Sequence, residues 1–124
     1  MSLLALAVTL LGLTVLLGGA LVVVALRHPG RKPPRLLATL HGLCAVAGYA
    51  VLLAALQGPP RGAAYGAQSF GLAAAILLLI AAALGVATFI LHLRQARLPG
   101  FWAGAHASVA ISGYVILAAY LFVG

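Results

Sequence analysis

No aspartate or glutamate occurs anywhere in this 124-residue chain, although it carries seven lysines or arginines. A soluble domain stays dispersed through a mixed charged surface, and a chain that is 65% hydrophobic and has no acidic residue lacks one. The same absence removes the intramembrane carboxylates on which proton relays and cation-coupled transporters normally depend. Cysteine is almost as scarce: the lone Cys44 permits neither a disulfide framework nor a cysteine-based metal motif. No phosphate-binding glycine loop, nucleophile motif or metalloprotease motif is present. The glycines at 12, 18 and 19 fall inside a long apolar run, where close helix packing explains them better than a dinucleotide fingerprint does.

What the chain has in abundance is apolar length. Four runs, at about 3–26, 36–56, 68–93 and 101–123, are each long enough to cross a hydrocarbon core of about 30 Å at roughly 1.5 Å per residue. They are continuously apolar rather than alternating, which predicts helices and not barrel strands. The first run has no basic residue ahead of it and exceeds the usual signal-peptide core, so a retained helix is expected there. His28-Pro29-Gly30 with Pro33-Pro34, then Gln57 to Gly62, then Leu98-Pro99-Gly100 punctuate the connections. Connections this short make consecutive helices antiparallel neighbours. The expected fold is therefore all-α and integral to the membrane: one domain, 1–124, forming an up-down-up-down bundle of four transmembrane helices. Helices one and three lie diagonal in it, as do two and four.

Six of the seven cations, Arg27, Arg31, Lys32, Arg35, Arg94 and Arg97, flank the first and third connections, and only Arg61 lies in the second. The positive-inside rule accounts for this distribution without invoking nucleic acid. It predicts a bacterial-type cytoplasmic membrane protein with both termini extracytoplasmic. The lipid bilayer is the expected surroundings, with Phe101 and Trp102 as interfacial anchors.

An internal repeat relates the two halves. Leu36 to Leu56 aligns without a gap on Phe101 to Leu121, pairing Ala38 with Ala103, His41 with His106, Ala45 with Ala110, Gly48 with Gly113, Tyr49 with Tyr114, Leu52 with Leu117, Ala54 with Ala119 and Leu56 with Leu121. The His, Gly and Tyr matches carry most of the weight, since Ala and Leu are abundant. Gly18 to Arg27 aligns more weakly on Gly85 to Arg94, with Ala25 opposite His92. The chain thus reads as two similarly oriented hairpins related by a pseudo-two-fold axis along the membrane normal.

His41 and His106 each lie about six residues, or roughly 9 Å, inside their helices from the basic end. His41, Ala45, Gly48 and Leu52 share one helix face, and His106, Ala110, Gly113 and Leu117 repeat it. Two histidines at one depth on diagonal helices, flanked by small residues, suit axial ligation of a b-type haem. In helices two and four the chain resembles the membrane-embedded b-type cytochromes with two axial histidines. That resemblance implies one bound haem b with His41 and His106 as its metal ligands. It also implies electron transfer with a quinone or a redox partner, and association with other subunits of a respiratory or photosynthetic complex. Gly48, Gly113, Ala45 and Ala110 would line the cofactor slot. A second histidine pair near the outer face is lacking, which argues against a two-haem path.

His92 is placed at the same depth as the pair, about five residues from the end of helix three. Two roles are open to it: contact with a haem propionate, together with Arg27, Arg94 or Arg97, or replacement of one ligand. His28 reads as an interfacial residue; a second haem between His28 and His92 would crowd the bundle. Three histidines without acids are also compatible with copper or zinc. Tyr49 and Tyr114, near mid-membrane, would fill the bundle or hydrogen-bond across it. Catalysis by this chain alone is not expected. The alternative function is a structural or assembly subunit of a membrane complex without cofactor.

Overall fold

The computed structural model describes residues 1–94 and 100–123. Four helices dominate it: α1 (Leu3–Arg27), α2 (Arg35–Ala55), α3 (Phe70–Arg94) and α4 (Gly100–Phe122). Each is long and apolar enough to cross a membrane. The chain is an all-α, up-down-up-down bundle of transmembrane helices, within two residues of the spans expected from hydropathy. The Leu98-Pro99 break and Arg97 lie outside the described residues.

Local chemistry sets the boundaries. At the start of α1, the Ser2 hydroxyl accepts from the Ala5 amide at 3.1 Å, satisfying one of the free donors of the first turn. The helix ends where the His28 amide still reaches Val24 O but Gly30 turns to a φ of +82°. Pro34 then leads into α2, its carbonyl accepting from the Ala38 amide at 3.1 Å. Between α2 and α3 lies a feature that hydropathy does not reveal, a single 3-10 turn, Ala63–Tyr65. Gly62 and Gly66 flank it, both at a φ of +68°, a conformation that glycine adopts without a Cβ penalty. The following turn, in which the Phe70 amide bonds to Ala67 O, delays α3 by two residues relative to the apolar run.

α1 packs tightly along α2, and α3 along α4. The two hairpins meet through α1 with α4 and α2 with α3, leaving α1 and α3 diagonal, and likewise α2 and α4. The repeat governs the packing. Among the described hydrophobic residues, those with no exposed surface, Ala7, Leu52, Ala74 and Leu117, form two repeat-related pairs: Ala7 with Ala74 on α1 and α3, Leu52 with Leu117 on α2 and α4. The register of α1 on α3 differs by two residues from that of α2 on α4.

This core occupies the end of the bundle that holds the second connection. Leu4, Ala7, Leu11, Leu52, Ala74, Ala75, Leu117 and Tyr120 form one cluster there. The connection is tied down by Tyr120, whose hydroxyl accepts from the Arg61 amide at 3.0 Å, and by the Arg61 guanidinium, which donates to Leu121 O at 3.1 Å. At the opposite end, where Arg27, Arg31, Lys32, Arg35 and Arg94 gather, packing is looser. Among the described residues, none nearer this basic end than Thr14 in α1, Gly48 in α2, Ala81 in α3 or Gly113 in α4 is buried. The outer faces carry large exposed apolar side chains such as Leu16, Val46 and Phe89, which suit lipid contact.

Candidate functional site: a histidine pair between the hairpins

His41 on α2 and His106 on α4 come together between the hairpins, their ring centroids 6.0 Å apart and their planes at 80°. The helix axes that carry them are diagonal, so the imidazoles themselves span the gap.

Each ring is held by its own hairpin in the same way. His41 Nδ1 lies 2.9 Å from Thr14 O on α1, and His106 Nδ1 lies 2.7 Å from Ala81 O on α3. A carbonyl oxygen only accepts, so Nδ1 carries the hydrogen in each contact, and in the neutral form of the ring the lone pair lies on Nε2. A carbonyl hydrogen-bonded to one ring nitrogen is the usual way in which a histidine is oriented to ligate through the other.

Gly18 and Gly85 explain how the rings reach those carbonyls. Each glycine stands four residues beyond the acceptor, one turn along the helix, and its missing side chain leaves a bare patch of backbone. A Cβ at Gly18 would stand 3.0 Å from His41 Cε1, and one at Gly85 would stand 2.9 Å from His106 Cε1. The residues that seat the histidine pair are therefore Thr14, Gly18, Ala81 and Gly85, none of which the His-bearing faces of α2 and α4 disclose. The signal that could have found them is the weaker alignment of Gly18 on Gly85.

Ala45 and Ala110, one turn beyond the histidines, are half-buried on the same faces. Gly48 and Gly113 follow about one turn further along the same helices. Both are buried, but a Cβ on Gly48 would come within 2.8 Å of Leu11 Cγ, and one on Gly113 within 3.0 Å of Leu78 Cγ. Their missing side chains are filled from within each hairpin, so they serve the α1–α2 and α3–α4 contacts. The physical reason is that the tightest interface of each helix is with its hairpin partner, and that is where absent side chains matter most.

His92 lies seven residues beyond Gly85 on α3, so it is about 10 Å nearer the basic end than the glycine on which His106 rests. It is half-buried, and its Nδ1 is enclosed without a hydrogen-bond partner among the described residues. Arg94 is exposed at the end of the same helix, and His28 is exposed just after α1. Among the described residues, no three His, Cys, Asp or Glu side chains come together as a metal-binding group, so the three-histidine copper or zinc arrangement is not assembled. Tyr49 joins the hairpins by donating to Ala75 O at 3.1 Å, whereas the Tyr114 hydroxyl covers Gly12.

Arg27, Arg31, Lys32, Arg35 and Arg94 give the basic end a concentration of positive charge with no acidic residue to balance it. The site combines two lone-pair nitrogens, small neighbours, a loosely packed half-bundle and a cationic mouth. Comparison with protein-family models, curated proteins and solved structures finds no match to this chain.

Proposed function

We propose that this protein is a b-type cytochrome subunit, holding one haem b between His41 and His106. It passes electrons between a quinone or a redox partner and a larger respiratory or photosynthetic complex. The observation that carries the reading is the matched seating of the pair: both Nδ1 atoms are engaged by carbonyls, leaving both Nε2 lone pairs for a metal. Their 6.0 Å ring separation is close to the roughly 6 Å required when one metal is bound by two imidazoles at about 2.0–2.1 Å each.

When bound, haem supplies a one-electron iron couple whose potential is set by its axial ligands and surroundings. The chain's own contribution is orientation and electrostatics. Thr14 and Ala81 fix the imidazole rings, while Gly18 and Gly85 let them settle against α1 and α3. Ala45 and Ala110 keep the neighbouring faces low, and the cations at the basic end would favour the carboxylates of a bound haem. The same cations orient the protein in a bacterial-type cytoplasmic membrane with both termini outside.

The deciding measurement is an absorption spectrum of the full chain purified in detergent and supplied with haem. A reduced-minus-oxidised spectrum of a six-coordinate, low-spin haem b is expected. Failure to take up haem in that form would leave the structural or assembly subunit as the better reading.

A further inference from the structure

We propose that His92 anchors one haem propionate, and that it does so on one side only of an otherwise two-fold site. The inference rests on haem binding by His41 and His106 and adds a recognition residue to it.

The two hairpins repeat each other wherever the imidazoles are held. Thr14 corresponds to Ala81 as carbonyl acceptor, Gly18 to Gly85 as the bare seat, and His41 to His106. Continuing the same α1 and α3 register toward the basic end brings Ala25 opposite His92. The symmetry of the site therefore fails at a polar residue.

That residue is in an unusual state. Nδ1 of His92 has essentially no exposed surface and no hydrogen-bond partner among the described residues. An enclosed polar atom of this kind calls for a partner, since buried ring nitrogens are nearly always bonded. The chain cannot supply an acidic one, because it contains no Asp or Glu. Seven residues make almost two full turns, so His92 lies on the α3 face that carries Gly85, the seat of His106. It is thus on the site's side of α3, about two turns toward the basic end. A carboxylate-bearing arm directed toward those cations passes this level, and an imidazole N–H is a suitable donor to it. Depth also excludes His92 as an exchange ligand while His106 stays on Gly85.

The test compares ferric protoporphyrin IX with its dimethyl ester, which keeps the macrocycle and removes the carboxylates. Both are titrated into the full-length wild-type chain and into His92→Ala. A charge-assisted hydrogen bond predicts that His92→Ala weakens binding of the free acid about ten- to a hundredfold. The ester should bind both proteins alike, with a six-coordinate spectrum throughout. The double variant Ala25→His/His92→Ala moves the donor to the repeat-related position and is expected to restore most of the lost affinity for the free acid. Equal binding of the free acid by wild type and His92→Ala overturns the assignment while leaving the haem reading intact. Loss of the six-coordinate spectrum in His92→Ala with both porphyrins overturns it in favour of a ligand role. If the wild type forms a six-coordinate species with neither porphyrin, the haem reading itself fails and the anchor fails with it.

Discussion

The imidazole of His106 rests on Gly85 so closely that a Cβ at that glycine would stand 2.9 Å from Cε1 and 3.1 Å from Nδ1. Alanine at position 85 must therefore move the ring, and the ring is the part of the contact tied to Ala81 O. Gly85→Ala is expected to weaken haem binding roughly five- to a hundredfold, the range corresponding to an overpacking cost of about 1–3 kcal/mol. Gly18→Ala, where the nearest ring atom would be 3.0 Å away, should act in the same direction and less strongly. Haem titration of the two variants checks this ordering. Unchanged affinity in Gly85→Ala would show that the seat does not position a ligand.

Removing the proposed ligands separates the histidines by role. His41→Ala and His106→Ala are each expected to lose six-coordinate haem, because each deletes one of the two nitrogens freed by the carbonyl bonds. Added imidazole should restore six-coordination by occupying the vacated position. His28→Ala should bind haem normally, since His28 is exposed beyond the end of α1. A double variant lacking His41 and His106 that retained the wild-type spectrum would defeat the assignment.

Orientation is tested at the second connection. Five described cations lie at one end of the bundle, while Arg61 is held at the other against Tyr120 and Leu121. With Cys44 first replaced by alanine, a cysteine at position 65, whose native tyrosine is exposed, should react with a membrane-impermeant thiol reagent added from outside intact cells. Position 31 should react only after the membrane is opened. The reverse pattern would invert the proposed topology.

The spans, the diagonal arrangement and the repeat were legible in the sequence because they depend on run length, connection length and register, which hydropathy and alignment report directly. The depth shared by His41 and His106 followed from counting residues into helices whose starts proline and glycine mark. The roles of the glycines were not legible. His41, Ala45, Gly48 and Leu52 do lie on one face of α2, but Gly48 and His41 both pack on α1, and only the His41 ring also edges the His106 ring of α4. Which neighbour fills a missing side chain is settled by the far helix: Leu11 reaches Gly48, whereas His41 reaches across to Gly18. Nor did counting from the end of helix three reveal that the level of the histidine pair is marked on α3 by Gly85, seven residues before His92.

The paired glycines at 48 and 113 supply the last prediction, which follows from where their space goes. A side chain at Gly48 would meet Leu11 Cγ at 2.8 Å and Leu10 Cβ at 3.2 Å, and one at Gly113 would meet Leu78 Cγ at 3.0 Å and Leu77 Cβ at 3.1 Å. All four neighbours belong to the hairpin partner, and Leu11 is part of the buried core. Hairpin packing of membrane helices relies on close backbone approach at small residues, so a branched side chain must force α1 from α2, or α3 from α4. Gly48→Leu and Gly113→Leu are each expected to lower detergent stability by about 1–3 kcal/mol or more, to a similar extent in the two halves. The loss should be present in the haem-free protein, because the clash exists whether or not cofactor is supplied. Haem affinity would fall only as a consequence of the disturbed hairpin. Thermal unfolding of both variants, with and without haem, distinguishes this from a cofactor-lining role. A variant as stable as wild type when haem-free, yet unable to bind haem, would return these glycines to the cofactor slot.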